Sequence, residues 1–206
     1  MTSYHFREAK GADANAPLFF VFHGTGADEN QFFDLATQLL PGAHVIAPRG
    51  DVSEGGALRY FRRTGEGRYD MEDLARRTEA MGQFLHSHVE AANPSAVIGL
   101  GYSNGANILA SVMFAQPQLF DAAVLFHPLI PFDPPASIGI EDRRVLVTGG
   151  RRDPICPPEG TQRLADYFAK EGANLQLTWH EGGHELRQEE LLAAQQFLTP
   201  YRVRTA

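Results

Sequence analysis

Six short apolar runs, at residues 18–22, 44–47, 96–100, 122–126, 145–148 and 175–179, alternate along this 206-residue chain with longer stretches whose apolar residues recur every three or four positions. Runs of that length suit strands, and strands apolar at successive positions must be buried on both faces. The intervening stretches, at 29–40, 71–89, 105–115, 159–170 and 185–198, read as helices with one apolar face. This alternation suggests βαβ units around a mostly parallel sheet with helices on both faces, an α/β fold, with room for an edge strand near residues 4–8. The length suits one domain over 1–206. With 18 basic against 25 acidic residues the net charge is −7, which argues against nucleic acid as a partner. The polar start MTSYHFREAK and the lack of a membrane-length apolar run lead to the expectation of a soluble cytoplasmic protein without membrane insertion. Cys156 is the single cysteine, so neither an internal disulfide nor a cysteine zinc cage can form.

Within AVIGLGYSNGANILA a strand pattern runs through Gly101-Tyr102-Ser103-Asn104-Gly105 into a helix pattern. This is G-x-S-x-G in the strand–turn–helix setting that holds a nucleophilic serine at a helix N-terminus, where amides and the helix dipole favour developing negative charge. The dinucleotide-binding pattern fails because position 104 is asparagine, and phosphate-loop signatures are absent.

A serine hydroxyl needs a base, and the base needs a carboxylate. Asp153 follows the run RRVLVTGG and would lie beyond a strand end; Asp133, in a proline-rich loop, and Asp142, before its strand, are weaker rivals. For the base, HEGGHE (180–185) matches the H-E-x-x-H zinc pattern, yet its flank alternates Leu175, Leu177 and Trp179 against Gln176, Thr178 and His180, which is strand periodicity. A helix through Gly182 and Gly183 would lose roughly 1 kcal/mol at each relative to alanine. The metalloprotease reading thereby loses its helix, and it has no obvious third ligand on a following helix, with Glu189 and Glu190 left open by the sequence alone; no metal is expected. His180 sits in strand register, whereas His184, after two glycines, lies on a loop able to turn back toward the serine and is the preferred base.

Acyl transfer also needs amides for an oxyanion. His23-Gly24-Thr25-Gly26 follows the strand PLFFVF, so the amides of Thr25 and Asn104 are the candidates. FHGTGADEN, GYSNGA, RDPICP and GGHE, in that order, resemble the phospholipase/carboxylesterase branch of the α/β-hydrolases, which includes the acyl-protein thioesterases and small bacterial carboxylesterases. The resemblance runs from about Pro17 to Leu198. It implies a Ser103, Asp153, His184 triad, a Thr25 and Asn104 oxyanion hole, a small-molecule ester as substrate, no cofactor, and a homodimer. Asn104 stands where many members of that branch have glutamine, which blurs the substrate assignment.

Residues 48–69 form the longest connection, and 58–69 interleave Arg59, Arg62, Arg63 and Arg68 with Tyr60, Phe61 and Tyr69. Either this is a solvated charged loop, or it is a wall of the acyl site in which Phe61 offers an apolar surface and Arg62 or Arg63 meets an anion. Leu129, in the stiff segment HPLIPF, is a second wall candidate, against a simple packed loop. There is no room for a cap domain, so a shallow cleft is expected. The leading expectation is a serine carboxylesterase; a thioesterase or lysophospholipase would use the same groups, and a non-catalytic ligand binder on this fold is the alternative of another class.

Overall fold

The computed structural model describes residues 4–136 and 138–203. In chain order its elements are β1 (Phe6–Ala9), β2 (Leu18–Phe22), α1 (Phe33–Leu39), β3 (His44–Pro48), β4 (Val52–Glu54), β5 (Ala57–Arg59), β6 (Arg63–Gly65), β7 (Arg68–Tyr69), α2 (Met71–Ala92), β8 (Val97–Tyr102), α3 (Asn104–Ala115), β9 (Ala122–Phe126), β10 (Arg144–Gly150), α4 (Pro158–Lys170), β11 (Asn174–His180) and α5 (Gln188–Phe197). Seven strands form one sheet in the order β1-β3-β2-β8-β9-β10-β11. Within this sheet, among the described residues, only β1 is antiparallel to its neighbour.

Successive strand residues point to opposite faces, and the core divides accordingly. Leu18, Phe20 and Phe22 of β2 pack with α2, α3 and α4. Phe19 and Val21 pack on the other face with α1 and α5. Asp70 caps α2 by accepting from the Asp73 amide at 3.0 Å, as its position before the helical pattern predicts.

Two expectations differ from the structure. α1 begins at Phe33 rather than residue 29. Glu29 is held instead by a two-pronged ion pair with Arg49, at 2.5 and 2.6 Å, and the Asp28 carboxylate accepts from the Asn30 amide at 2.9 Å, a local turn that competes with helix. The connection 48–69 is built from two small hairpins, β4–β5 and β6–β7, whose strands are too short to show a period in sequence.

All parallel strands end their carboxyl termini at one edge, and there β8 passes into α3 through a crowded turn. A Cβ on Gly101 would come 2.5 Å from the Gly105 carbonyl group, and one on Gly105 would come 2.5 Å from the His23 carbonyl oxygen. Helix and strand can approach this closely only with hydrogen at both positions. Gly105→Ala is therefore expected to destabilise the fold by about 1–3 kcal/mol through overpacking, measured as a lower urea midpoint with an unchanged slope.

Candidate active site

Ser103 occupies the turn between β8 and α3 with φ 53° and ψ −115°. Such a conformation is strained for a residue with a side chain and persists only where the surroundings impose it. Here the Ser103 amide donates to the Phe126 carbonyl at 2.9 Å, and the glycines on either side admit the tight turn. The hydroxyl is left at the N-terminus of α3, where the helix dipole favours negative charge.

His184 lies on the loop between β11 and α5. Its Nε2 is 3.0 Å from Ser103 Oγ, and its Nδ1 is 2.8 Å from Asp153 Oδ2. The Tyr102 hydroxyl donates to the His184 carbonyl at 2.6 Å, and the two rings lie 5.3 Å apart, so β8 supplies both the serine and the anchor of its neighbour. Burial and the nearby Asp153 charge push that hydroxyl up to about 12, which keeps it a donor. Asp153 stands beyond the end of β10; Asp133 and Asp142 are exposed and elsewhere. His180, the other histidine of HEGGHE, closes β11 and is buried, and no helix joins it to His184.

The network does not stop at three residues. His127, directly after β9, is fully buried; its Nδ1 is 2.8 Å from the same Asp153 Oδ2, and its Nε2 is 3.0 Å from Glu190 Oε1. Glu190 Oε2 is 3.3 Å from His180 Nε2, and Thr148 donates to Glu190 at 2.5 Å. Burial works against charge on His127, but the hydrogen bonds and charges of Asp153 and Glu190 overcome it and push the imidazole up to about 9. Burial likewise opposes ionisation of Asp153, yet bonds from His127, His184 and the Cys156 amide hold it well below the usual carboxylate range. In sequence His127 reads as part of a packed loop, and nothing in the local pattern links it to His180 and Glu190.

Two groupings, His127 with His180 and Glu190, and His127 with Asp153 and His184, have donor atoms close enough for a metal ion. In the first, His180 Nδ1 accepts from the Gly182 amide at 2.9 Å, so the ring proton resides on Nε2 and that nitrogen is not a ligand. In the second, Asp153 Oδ2 is already the acceptor of both rings. The chemistry of both sets is that of a proton network.

The cleft beside Ser103 has a volume of ≈590 Å³ and is lined in part by Thr25, Arg59, Tyr69, Asn104, Leu129 and Ile155. Thr25 and Asn104 both line this cleft, and neither amide has a backbone acceptor among the described residues. The Asn104 side chain acts elsewhere, for its Oδ1 accepts the Tyr60 amide at 2.8 Å and so ties the arginine loop to the serine. Tyr69 donates to the Leu129 carbonyl at 2.6 Å, while Asn107 accepts the Leu129 amide at 2.7 Å and donates to the Tyr69 hydroxyl at 2.8 Å, which locks the two walls together.

The expectation for the arginine loop needs correction. Phe61 is not at the cleft surface: it is fully buried in the core and packs edge-on to Tyr69. Arg62 is exposed and does not line the cleft. Arg63 does line it, but its Nε bonds Glu54 at 2.9 Å. The inward arginine is Arg59, almost fully buried, whose Nη1 donates to Thr25 Oγ1 at 3.0 Å and whose Nε lies 3.5 Å from Glu54. Glu54 offsets much of the positive charge that the sequence leads one to expect. Cys156 is buried against the site, its thiol donating to the His127 carbonyl at 3.2 Å, and burial followed by the Asp153 charge pushes it up, away from thiolate reactivity.

A parallel sheet with a strained serine at a strand–helix turn, a histidine against it and a carboxylate behind is the constellation of an α/β-hydrolase. Residues 56–190 match the dienelactone hydrolase family, and the chain belongs to it. It is 36% identical over 193 residues to a protein described as putative hydrolase MhqD of Bacillus subtilis, covering 91% of this chain and 94% of that one. Among solved structures, it is similar to the protein Atu2452 of Agrobacterium tumefaciens at 54% identity and a TM-score of 0.92, over 96% of this chain and 97% of that one. The carboxylesterase of Bacillus cereus superposes with a TM-score of 0.90 at 32% identity, over 96% and 94% of the two chains. The protein is thus a hydrolase of the esterase type. Among the described residues no helix is long and apolar enough to cross a membrane.

The buried network ties stability to pH with a definite sign. His127 is raised from 6.5 to about 9, so its contribution is complete below about 6.5 and is lost as pH climbs toward 9. Asp153 and Glu190 are lowered, so theirs is present above the ordinary carboxylate values and is lost only as pH falls through the depressed ones. The melting temperature is expected to fall between pH 6.5 and 9, and this slope should be absent in His127→Asn, as scanning calorimetry across that window would measure.

Proposed function

We propose that the protein is a serine carboxylesterase that cleaves small carboxylic esters through an acyl-enzyme. The observation that carries this reading is the unbroken chain Ser103 Oγ, His184 Nε2, His184 Nδ1, Asp153 Oδ2, with links of 3.0 and 2.8 Å, opening on a cleft at the N-terminus of α3. As Ser103 Oγ attacks the ester carbonyl, its proton passes to His184 Nε2, and Asp153 stabilises the imidazolium so formed. The carbonyl oxygen becomes an oxyanion beside the amides of Thr25 and Asn104. Collapse breaks the bond to the alkoxy oxygen, which takes the proton from His184 and leaves as the alcohol. A water then gives a proton to His184 and attacks the acyl-serine, releasing the carboxylic acid and restoring the Ser103 hydroxyl.

Labelling by a fluorophosphonate probe tests the nucleophile. Mass spectrometry should place the label on Ser103, and Ser103→Ala should abolish labelling and cut hydrolysis of a p-nitrophenyl ester by about 10³-fold or more. Unlabelled Ser103 in active enzyme would remove this reading, as would loss of activity on chelation.

Arg59 supports the turn that carries Thr25, so its role is expected in catalysis rather than in charge selection. Arg59→Met should lower kcat for a neutral ester by roughly tenfold or more, since loosening an oxyanion donor is costly, with a much smaller change in KM. Arg62→Gln, altering an exposed side chain outside the cleft, should leave both constants nearly unchanged.

A further inference from the structure

The His127 cluster has a determinate arrangement of protons. His180 Nδ1 accepts from the Gly182 amide, which leaves the proton of a neutral ring on Nε2, facing Glu190 Oε2 at 3.3 Å. His127 has a carboxylate at each nitrogen, Asp153 at 2.8 Å and Glu190 at 3.0 Å, and a carboxylate accepts but does not donate. His180 Nε2 also lies 3.4 Å from His127 Nε2, but with Asp153 and Glu190 both ionised Glu190 accepts from the two rings through its separate oxygens, so both His127 nitrogens carry protons and the ring is an imidazolium. One positive and two negative charges are sealed in a region where all three side chains have no solvent exposure. A buried carboxylate left without such a partner would cost several kcal/mol, so each member of the cluster stabilises the next.

We propose that His127 is a positioning residue of the ester-hydrolysing site: a buried imidazolium that shares the Asp153 Oδ2 oxygen with His184, fixes the carboxylate in place and moderates how strong a base His184 is. The inference rests on the serine-esterase reading and deepens it. Two rings compete for one oxygen, and their centroids are 5.1 Å apart. A positive charge at that distance from His184 opposes its protonation, in a setting where little water screens the effect. The remaining neighbours of His127 do not replace this charge. Glu190, on α5, lies beyond it; His180, at the end of β11, is held in a neutral tautomer; the Cys156 thiol bonds its carbonyl; Thr148 of β10 accepts its amide through the backbone at 3.1 Å; and the Tyr102 ring of β8 lies edge-on at 5.8 Å.

The backbone fits such a built position. His127 has φ 50°, the left-handed region in which few side chains are comfortable, and asparagine is among those few. His127→Asn is thus the informative variant, because its amide can retain a donor in place of Nδ1 while removing the charge. Loss of that charge favours protonated His184 whether Glu190 stays ionised or takes up a proton, since the positive ring lies 5.1 Å from the His184 ring while Glu190 meets the opposite nitrogen of His127.

Two measurements decide the matter. In wild-type protein labelled with ¹⁵N-histidine, NMR at about pH 8, below the raised His127 value, should show both ring nitrogens of His127 protonated; an unprotonated nitrogen there overturns the proposal, and this readout stands even where the variant does not fold. The second-order rate of Ser103 labelling by a fluorophosphonate, followed against pH, should show its acid limb about 1 pH unit higher in His127→Asn, roughly a tenfold slower reaction at any pH below both limbs. A limb that does not move overturns the proposal even if the variant melts earlier, because a merely structural role would lower stability without shifting the limb. If wild-type Ser103 fails to label at all, it is the serine-esterase reading that falls; if it labels normally and only the limb stays fixed, this inference falls alone.

Discussion

The carboxylate of Asp153 is the group on which the site depends. It is buried, at a cost that would drive an isolated carboxyl to take up a proton, and it remains ionised because four donors converge on it. Oδ1 accepts the amides of Ile155 and Cys156 at 2.8 and 2.9 Å, and Oδ2 accepts His184 and His127, each at 2.8 Å. The amide pair fixes the plane of the group before any histidine is added. The bond to His184 then selects the tautomer whose Nε2 faces Ser103, and the bond to His127 links the active edge of the sheet to the interior around Glu190. The carboxylate is an anchor of the fold as much as a member of the site, so substitutions there should not be read as purely chemical.

Long-range order comes from the sheet. Ser103, Asp153 and His184 follow β8, β10 and β11, and parallel alignment brings the carboxyl ends of these strands to one edge although the residues are distant in the chain. Parallel pairing with β9 in between also sets His127 in the same layer, since β9 ends at Phe126 beside Thr148 of β10. One more or one fewer residue in β9 would turn His127 to the other face, because side chains alternate along a strand.

The parts of this arrangement that rest on local chemistry are legible in the sequence. The Ser103 turn, the strand periodicity before His180, the two glycines that free His184 and the apolar runs of the sheet each show within a few residues. The buried network is not legible, because His127, His180 and Glu190 belong to three separate elements and only pairing brings them together. The wall residues mislead for another reason. The segment Arg59-Tyr60-Phe61-Arg62-Arg63 sets aromatic rings between cations, a pattern that suggests a ring facing the substrate; in the fold, burying Phe61 in the core contributes about 1.5–3 kcal/mol, and Arg59, stabilised by Thr25 and Glu54, lines the cleft instead. α1 is shorter than its periodicity suggests because the Asp28–Asn30 turn competes with helix locally and Arg49 holds Glu29 through a tertiary contact that the local pattern does not show.

The cleft walls also answer how the site can define a shape for a substrate. Both walls are held by side chains from the first turns of α3. Asn104 holds the loop through the Tyr60 amide, and Asn107 holds Leu129 and the Tyr69 hydroxyl, which itself bonds Leu129. Those turns begin at the serine. Any displacement of a wall must therefore either break one of these hydrogen bonds, costing about 1–3 kcal/mol when a partner is left unsatisfied, or carry with it the helix that begins at Ser103. The shape of the cleft and the placement of Ser103 are for that reason one mechanical property, set by two asparagines a single helical turn apart.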